Sequence, residues 1–314
     1  MSFIISPICC GSADLQPETK ECALSVKERR DPCIPRLGAY VKSKYFGGNK
    51  IDCDQAGISL ATAMTISGAA ASPNMGYHST PATAFLMTLF NLRLGAWLAN
   101  PAIQSARLWQ RSSPRTAVRP LISELSGQSD ERGRYVYLSD GGHFENLGIY
   151  EMVRRRCRFI VVSDASCDPG CTFENLGNAV RKISIDLNVD ISFSAMRFAK
   201  RDEVTDKTLA FAVGTIRYPD KPHGQILYIK PTYLKNLPMD VTAYGKANGI
   251  FPHESTADQW FSESQFESYR RLGFHLMSAF GERGGNRNPG SLEDLFRIAS
   301  EMACDTDALR VAQA

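Results

Sequence analysis

The sharpest change of hydrophobic pattern lies in "RYVYLSDGGHFENLGIYEMVRRRCRFIVVSDAS", residues 134–166. Tyr135, Val136, Tyr137 and Leu138 form an aromatic and β-branched run that favours a strand, and Asp140-Gly141-Gly142 ends it. Apolar residues then recur at Leu147, Tyr150 and Val153, a helical spacing, with Arg154, Arg155 and Arg156 where cations complement the end of a helix dipole. Phe159–Val162 is wholly apolar, the pattern of a strand buried on both faces of a parallel sheet. The unit reads β-turn-α-β and predicts that Tyr135–Ser139 and Phe159–Ser163 are neighbouring parallel strands in a right-handed crossover. Asp140 would then stand beyond a strand's carboxyl end, where such sheets bind ligands.

Elsewhere the pattern is less even. Residues 1–60 are irregular, with a short strand expected within Gly38–Tyr45, and "YFGGNKID" is a turn. "ATAFLMTLFNLRLGAWLAN", residues 82–100, reads as a buried core helix; Asn91 and Arg93 interrupt it, and it falls short of the roughly 20 apolar residues a bilayer span needs. Residues 105–133 are basic and Ser/Pro-containing, an exposed excursion. Leu176, Ala179, Val180 and Ile183 mark a second amphipathic helix, and "LAFAVGTIRYP" and "GQILYIKPTY" read as adjacent strands. Trp260, Phe261, Phe266, Tyr269 and Leu272 suggest a helix covering the sheet. The order implies an α/β layered fold with a mostly parallel central sheet over residues 1–281, followed by a tail, 282–314, with a short helix.

Composition narrows the function classes. The 314 residues are 43% hydrophobic and 22% charged, as in a globular chain, and the net charge of +3 is too small to argue for a nucleic-acid or acidic partner, so no nucleic acid is expected. Nine cysteines, an odd number without repeated C-x-x-C, indicate neither a disulfide framework nor a zinc site, and free thiols suit a reducing, cytoplasmic compartment. The first residues lack the basic segment of a secretory signal.

Asp140 is the first candidate for chemistry, although Asp-Gly is also a common turn dipeptide. "ATAMTISGAAASPNMGYHST", residues 61–80, is rich in small residues that permit tight packing or close approach of a ligand. The nucleophile elbow G-x-S-x-G is missing: the nearest approach, Gly57-Ile58-Ser59-Leu60-Ala61, lacks the second glycine. His143 suggests a Ser-His alternative, but His143 and His78 fit capping or packing better. Asp164, Asp168, Cys167 and Cys171 match no standard zinc spacing and fit a strand-end loop. Neither G-x-G-x-x-G nor G-x-x-x-x-G-K-[ST] supports nucleotide binding.

"LSDGGHFENLG" after a strand, preceded by the S-G-A-A-x-S-P segment Ser67–Pro73, resembles the C-terminal part of patatin-like lipid acyl hydrolases. "FPHESTADQWFSESQFESYRRLGFH" and "GNAVRKISIDL" resemble a bacterial branch of large patatin-related proteins, and the resemblance spans about residues 3–280. It implies a patatin-like fold, incomplete at the N-terminus, and hydrolysis of lipid esters by a Ser-Asp dyad. Asp140 would be the catalytic aspartate, with Gly141, Gly142, Asn146, Ser67 and Gly68 supporting the motif. It implies no cofactor and no metal, a lipid substrate, and a cytoplasmic or peripherally membrane-associated protein. The chain departs from the family in lacking the glycine-rich oxyanion loop and G-x-S-x-G, so the dyad serine is not recognisable here. The alternative is a non-catalytic remnant serving as a lipid-binding or interaction module.

Overall fold

The computed structural model describes residues 1–15, 39–47, 57–70, 94–103, 132–220, 222–255, 260–283 and 289–311, with isolated residues between them. The fold is mixed α/β, and the chain divides into two compact units, Met1–Asn146 and Leu147–Ala314.

In the first unit, β1 (Ile4–Ile5), β2 (Cys9–Ser12) and β3 (Ala39–Lys42) form an antiparallel sheet in that order. Helix α1 (Leu60–Ser67) is capped by Ser59, whose hydroxyl accepts the Thr62 N–H at 3.0 Å. A two-stranded antiparallel sheet pairs β4 (Ala96–Ala99) with β5 (Tyr135–Leu138), Ala96 opposite Leu138. Cys10, Leu15, Val41, Phe46, Ile66, Leu98, Val136 and Leu138 share one buried cluster. The strand expected within residues 38–45 is β3, ending in a 3-10 turn, Ser43–Tyr45.

The helix expected across residues 82–100 is corrected at its described end, which is β4; residues 82–93 lie outside the described residues. Pairing with β5 overrides the local apolar run here. Gly95 permits it: a Cβ at this position would sit 2.5 Å from the Tyr137 ring and 2.6 Å from the Leu138 carbonyl oxygen. Of the excursion 105–133 only residues 113–116, the final two and a few single positions are described, and Leu108 among them is buried.

The second unit runs α2 (Ile149–Arg154), β6 (Phe159–Ser163), α3 (Glu174–Leu187), β7 (Asp190–Phe193), β8 (Phe211–Arg217), β9 (Gly224–Ile229), α4 (Met239–Ala247), α5 (Glu263–Arg283) and α6 (Leu292–Val311). Its sheet has the order β6-β9-β8-β7. β6 and β9 are parallel, with Val161 opposite Leu227; β8 pairs antiparallel with both β9 and β7. The α3 stripe buries Leu176, Ala179 and Ile183, while Val180, the fourth residue expected on it, is half-buried. Phe211, Val213 and Leu227 pack with Phe280 of α5 and Phe296 and Ala299 of α6.

Three expectations change. β5 and β6 are not parallel neighbours: β5 pairs with β4 in one sheet and β6 with β9 in another. Periodicity identifies strands but not partners, and β4 was hidden inside an apparent helix. β6 is also an edge strand, which buries Ile160 and Val162 while Val161 is 44% exposed. The central sheet is therefore not mostly parallel, since one of its three pairings is parallel. Finally, residues 282–314 are more than a tail with a short helix: α6 has 20 residues and contributes Phe296 and Ala299 to the core.

Candidate functional site

Asp140 follows directly from the end of β5. Its N–H donates to the Ala69 carbonyl at 3.3 Å, so the chain just beyond α1 lies against the Asp140 turn. The Asp140 carboxylate caps a 3-10 turn, Gly141–His143: Oδ1 accepts the Gly142 N–H at 2.7 Å, and the Asp140 carbonyl accepts the His143 N–H at 3.2 Å. Asp140 is half-buried, and its Oδ2 has no hydrogen-bond partner among the described residues.

The second glycine has a steric reason. A Cβ on Gly142 would lie 2.2 Å from Asn146 Oδ1 and 3.2 Å from Asp140 Oδ1, so Asn146 folds back over the turn in space that only glycine leaves free. The spacing from Asp140 to Asn146 is thus a packing relation. A Cβ on Gly141 would meet no atom of the described residues within 4 Å. His143 fastens the turn from the other side: its Nε2 is 3.0 Å from the Ala70 carbonyl oxygen and its Nδ1 3.0 Å from Ser139 Oγ.

Ser67 is the last residue of α1 and is exposed; the Gly68 N–H closes the helix on Met64 and Ile66 carbonyls. Ala69 and Ala70 make the contacts to Asp140 and His143, whereas Ala71, Ser72 and Pro73 lie outside the described residues, as does His78. No hydrogen bond joins Ser67 to Asp140 among the described residues. Ser59, in the nearest approach to an elbow, is a helix cap.

A second constellation lies in the second unit, at the carboxyl ends of the parallel strands β6 and β9. Lys230 follows β9 and Asp164 follows β6, and their side chains are 1% and 2% exposed. Lys230 Nζ stands 3.3 Å from Asp164 Oδ2 and 3.7 Å from Asp168 Oδ2. Asp164 also accepts from the Ser166 hydroxyl and N–H and from the Tyr228 hydroxyl. Burial pushes the Asp164 carboxyl up, but the Ser166 and Tyr228 hydrogen bonds and the Lys230 charge outweigh it and hold it below its ordinary value. The Tyr228 hydroxyl is driven up, by burial first and by its bond to Asp164 second. Asp168 accepts the N–H groups of Thr172 and Phe173, which with Lys230 outweigh burial and lower its pKa.

His253 belongs to the same constellation. It is buried, its Nδ1 lacks a hydrogen-bond partner among the described residues, and its carbonyl accepts the Cys167 thiol at 3.0 Å. Burial and then the Lys230 charge lower its pKa. Among the described residues no group of three His, Cys, Asp or Glu side chains could hold a metal ion. Pattern reading singled out Asp164 and Asp168 but missed Lys230 and His253. A lysine directly continuing the apolar strand "GQILYI" was the available signal.

A cavity of about 440 Å³ in the second unit is lined by Ser194, Arg197, Phe198, Glu203, Thr205 and Lys207 among others, and Asp140 is not part of its wall. No helix among the described residues is long and apolar enough to cross a membrane. Compared with family models, curated proteins and solved structures, the chain has no match.

Proposed function

We propose that the chain carries the aspartate of a lipid acyl hydrolase, a carboxylic ester hydrolase of patatin-like type, with Asp140 as the base of a Ser-Asp dyad. The supporting observation is the state of its carboxylate. Oδ1 is fixed by the Gly142 N–H, whereas Oδ2 has no partner among the described residues, at a strand end braced by Ala69. A serine hydroxyl is a weak nucleophile at neutral pH, and a fixed carboxylate within hydrogen-bonding reach can accept its proton as the ester carbonyl is attacked. The Gly142 N–H holds the carboxylate's orientation. The dyad serine is not in a recognisable elbow, so it would have to come from outside that motif. The chemistry calls for no cofactor.

The rival, a lipid-binding module without catalysis, is favoured by a different observation. Trp260 is 91% exposed, and Phe261, Phe266 and Phe274 are more than half exposed, a set of aromatic side chains suited to the edge of a lipid layer. Turnover of p-nitrophenyl esters and phosphatidylcholine vesicles by the product of the whole open reading frame containing these residues separates the two. Activity that falls at least about 100-fold on Asp140→Asn, with an unchanged thermal transition, supports the dyad. Vesicle binding without turnover supports the rival.

A further inference from the structure

We propose that Ser139 is a nucleophile activated by His143, a reactive pair contained within the Asp140 turn and open to small carboxylic esters. The inference goes beyond the Ser-Asp reading and does not depend on Asp140 acting as a base.

The geometry has the three parts of an activated hydroxyl. Ser139 Oγ is 3.0 Å from His143 Nδ1, and His143 Nε2 is 3.0 Å from the Ala70 carbonyl oxygen, 73 residues away in sequence. A carbonyl oxygen only accepts, so Nε2 carries the ring proton and donates it. In the neutral ring this leaves the Nδ1 lone pair for the Ser139 hydroxyl, and one tautomer is selected. The Ala70 carbonyl takes the orienting place that a carboxylate takes in a serine triad. Both side chains are half-buried rather than sealed in the core. Gly141, which lies between them in the turn, is exposed, and a Cβ there would meet no atom of the described residues within 4 Å, room for a reacting carbonyl.

The steps balance. The Ser139 O–H bond breaks, its proton passes to Nδ1, and Oγ bonds to the acyl carbon of the ester. The leaving alkoxide departs with the proton from Nδ1. A water molecule then gives a proton to Nδ1 and its oxygen to the acyl carbon, and Ser139 leaves, recovering its proton from the ring. Ester and water are consumed, and acid and alcohol are released.

The test uses the full 314-residue chain and a fluorophosphonate probe. Trypsin releases residues 135–154 as one peptide in which Ser139 is the sole serine, so mass spectrometry assigns the adduct without ambiguity. The expected result is labelling of that peptide approaching one adduct per chain, its loss in Ser139→Ala, and labelling at least about 100-fold slower in His143→Gln, the order of a general-base contribution. Denaturation in urea supplies a control independent of any variant's folding, since a hydroxyl activated by geometry loses its reactivity when the turn unfolds. No adduct on residues 135–154, or equal labelling of the folded and urea-unfolded chain, overturns the proposal. The Asp140→Asn turnover experiment reads the dyad separately, so either idea can fail without the other.

Discussion

Lys230 Nζ lies 3.3 Å from Asp164 Oδ2 with both side chains almost wholly removed from water, at the adjoining carboxyl ends of β9 and β6. Burying an ammonium and a carboxylate costs several kcal/mol each, so this pair persists because its remaining hydrogen-bonding capacity is filled by Ser166, Tyr228 and Asp168. It ties the loop after β6 to the end of β9.

Removing one partner should cost far more than removing the charge from both. Lys230→Met leaves Asp164 buried and uncompensated, an expected loss of about 3–5 kcal/mol. In Lys230→Met/Asp164→Asn the acceptor for Ser166 or Tyr228 survives without a buried charge, and part of the loss should return. Thermal and urea unfolding of the single and double variants measure this. A double variant less stable than Lys230→Met would show that the pair is not coupled as described.

The same constellation sets a pH dependence. His253 has a folded pKa below its ordinary 6.5, through burial first and Lys230 second. As pH falls below 6.5 the unfolded chain therefore takes up a proton that the folded chain refuses, and stability declines by at most about 1.4 kcal/mol per pH unit. Asp164 and Asp168 act lower down. Their folded pKa values are below the ordinary 3.8, so their contribution is present above 3.8 and is lost as pH falls through the folded values. Stability followed from pH 8 to pH 3 should fall in two stages, and His253→Gln should remove the upper one. A variant that keeps the upper stage would assign it elsewhere.

Arg201 holds a different part of the second unit. Its guanidinium donates to the carbonyls of Gly245, Asn248, Gly249 and Phe251, and it stacks on the Tyr233 ring at 4.3 Å. Lysine keeps the charge but lacks the planar fork and the stacking surface. Arg201→Lys should destabilise the chain by about 1.5–3 kcal/mol, the worth of roughly one charge-assisted hydrogen bond. It should also speed amide exchange in residues 245–251. Unchanged exchange there would mean that the loop is held by its own packing.

Legibility in the sequence followed the reach of each interaction. The α3 stripe and the β8–β9 pairing were readable because their signals are local: a 3.6-residue period, and two alternating runs separated by "DKPHG". What failed was partnership. Phe159–Val162 looked buried on both faces, yet Val161 is 44% exposed, and Ala96–Ala99 looked helical until β5 claimed it. The exposure of Trp260 and Phe261 was missed for a related reason, since both precede α5 and lie off the stripe through Leu272, Leu276 and Phe280 that packs inward. At the site, Asp140 was visible because it ends a strand-like run, while Gly142 and Asn146 were picked out by the motif resemblance rather than by periodicity. Lys230 and Asp164 meet across 66 residues, and no periodicity encodes that.

The two glycines after Asp140 should respond differently to alanine. At Gly141 the new Cβ meets no described residue within 4 Å, so Gly141→Ala should leave the thermal transition within the scatter of ordinary surface changes, about 0.5 kcal/mol. At Gly142 the Cβ would overlap Asn146 Oδ1 at 2.2 Å and press on Asp140 Oδ1 at 3.2 Å. The overlap is with the end of a side chain rather than with backbone, so the cost is modest, about 1 kcal/mol, but the turn loses the packing of the group folded over it. Gly142→Ala should therefore disturb the Asp140 carboxylate more than it disturbs stability. The sensitive measurement is the carboxyl carbon resonance of Asp140 by NMR, compared in Gly141→Ala, Gly142→Ala and Asn146→Ala. Gly142→Ala and Asn146→Ala should shift it in the same direction while Gly141→Ala leaves it in place. If all three behave alike, Asn146 does not govern the carboxylate, and the spacing between Asp140 and Asn146 has no structural meaning in this turn.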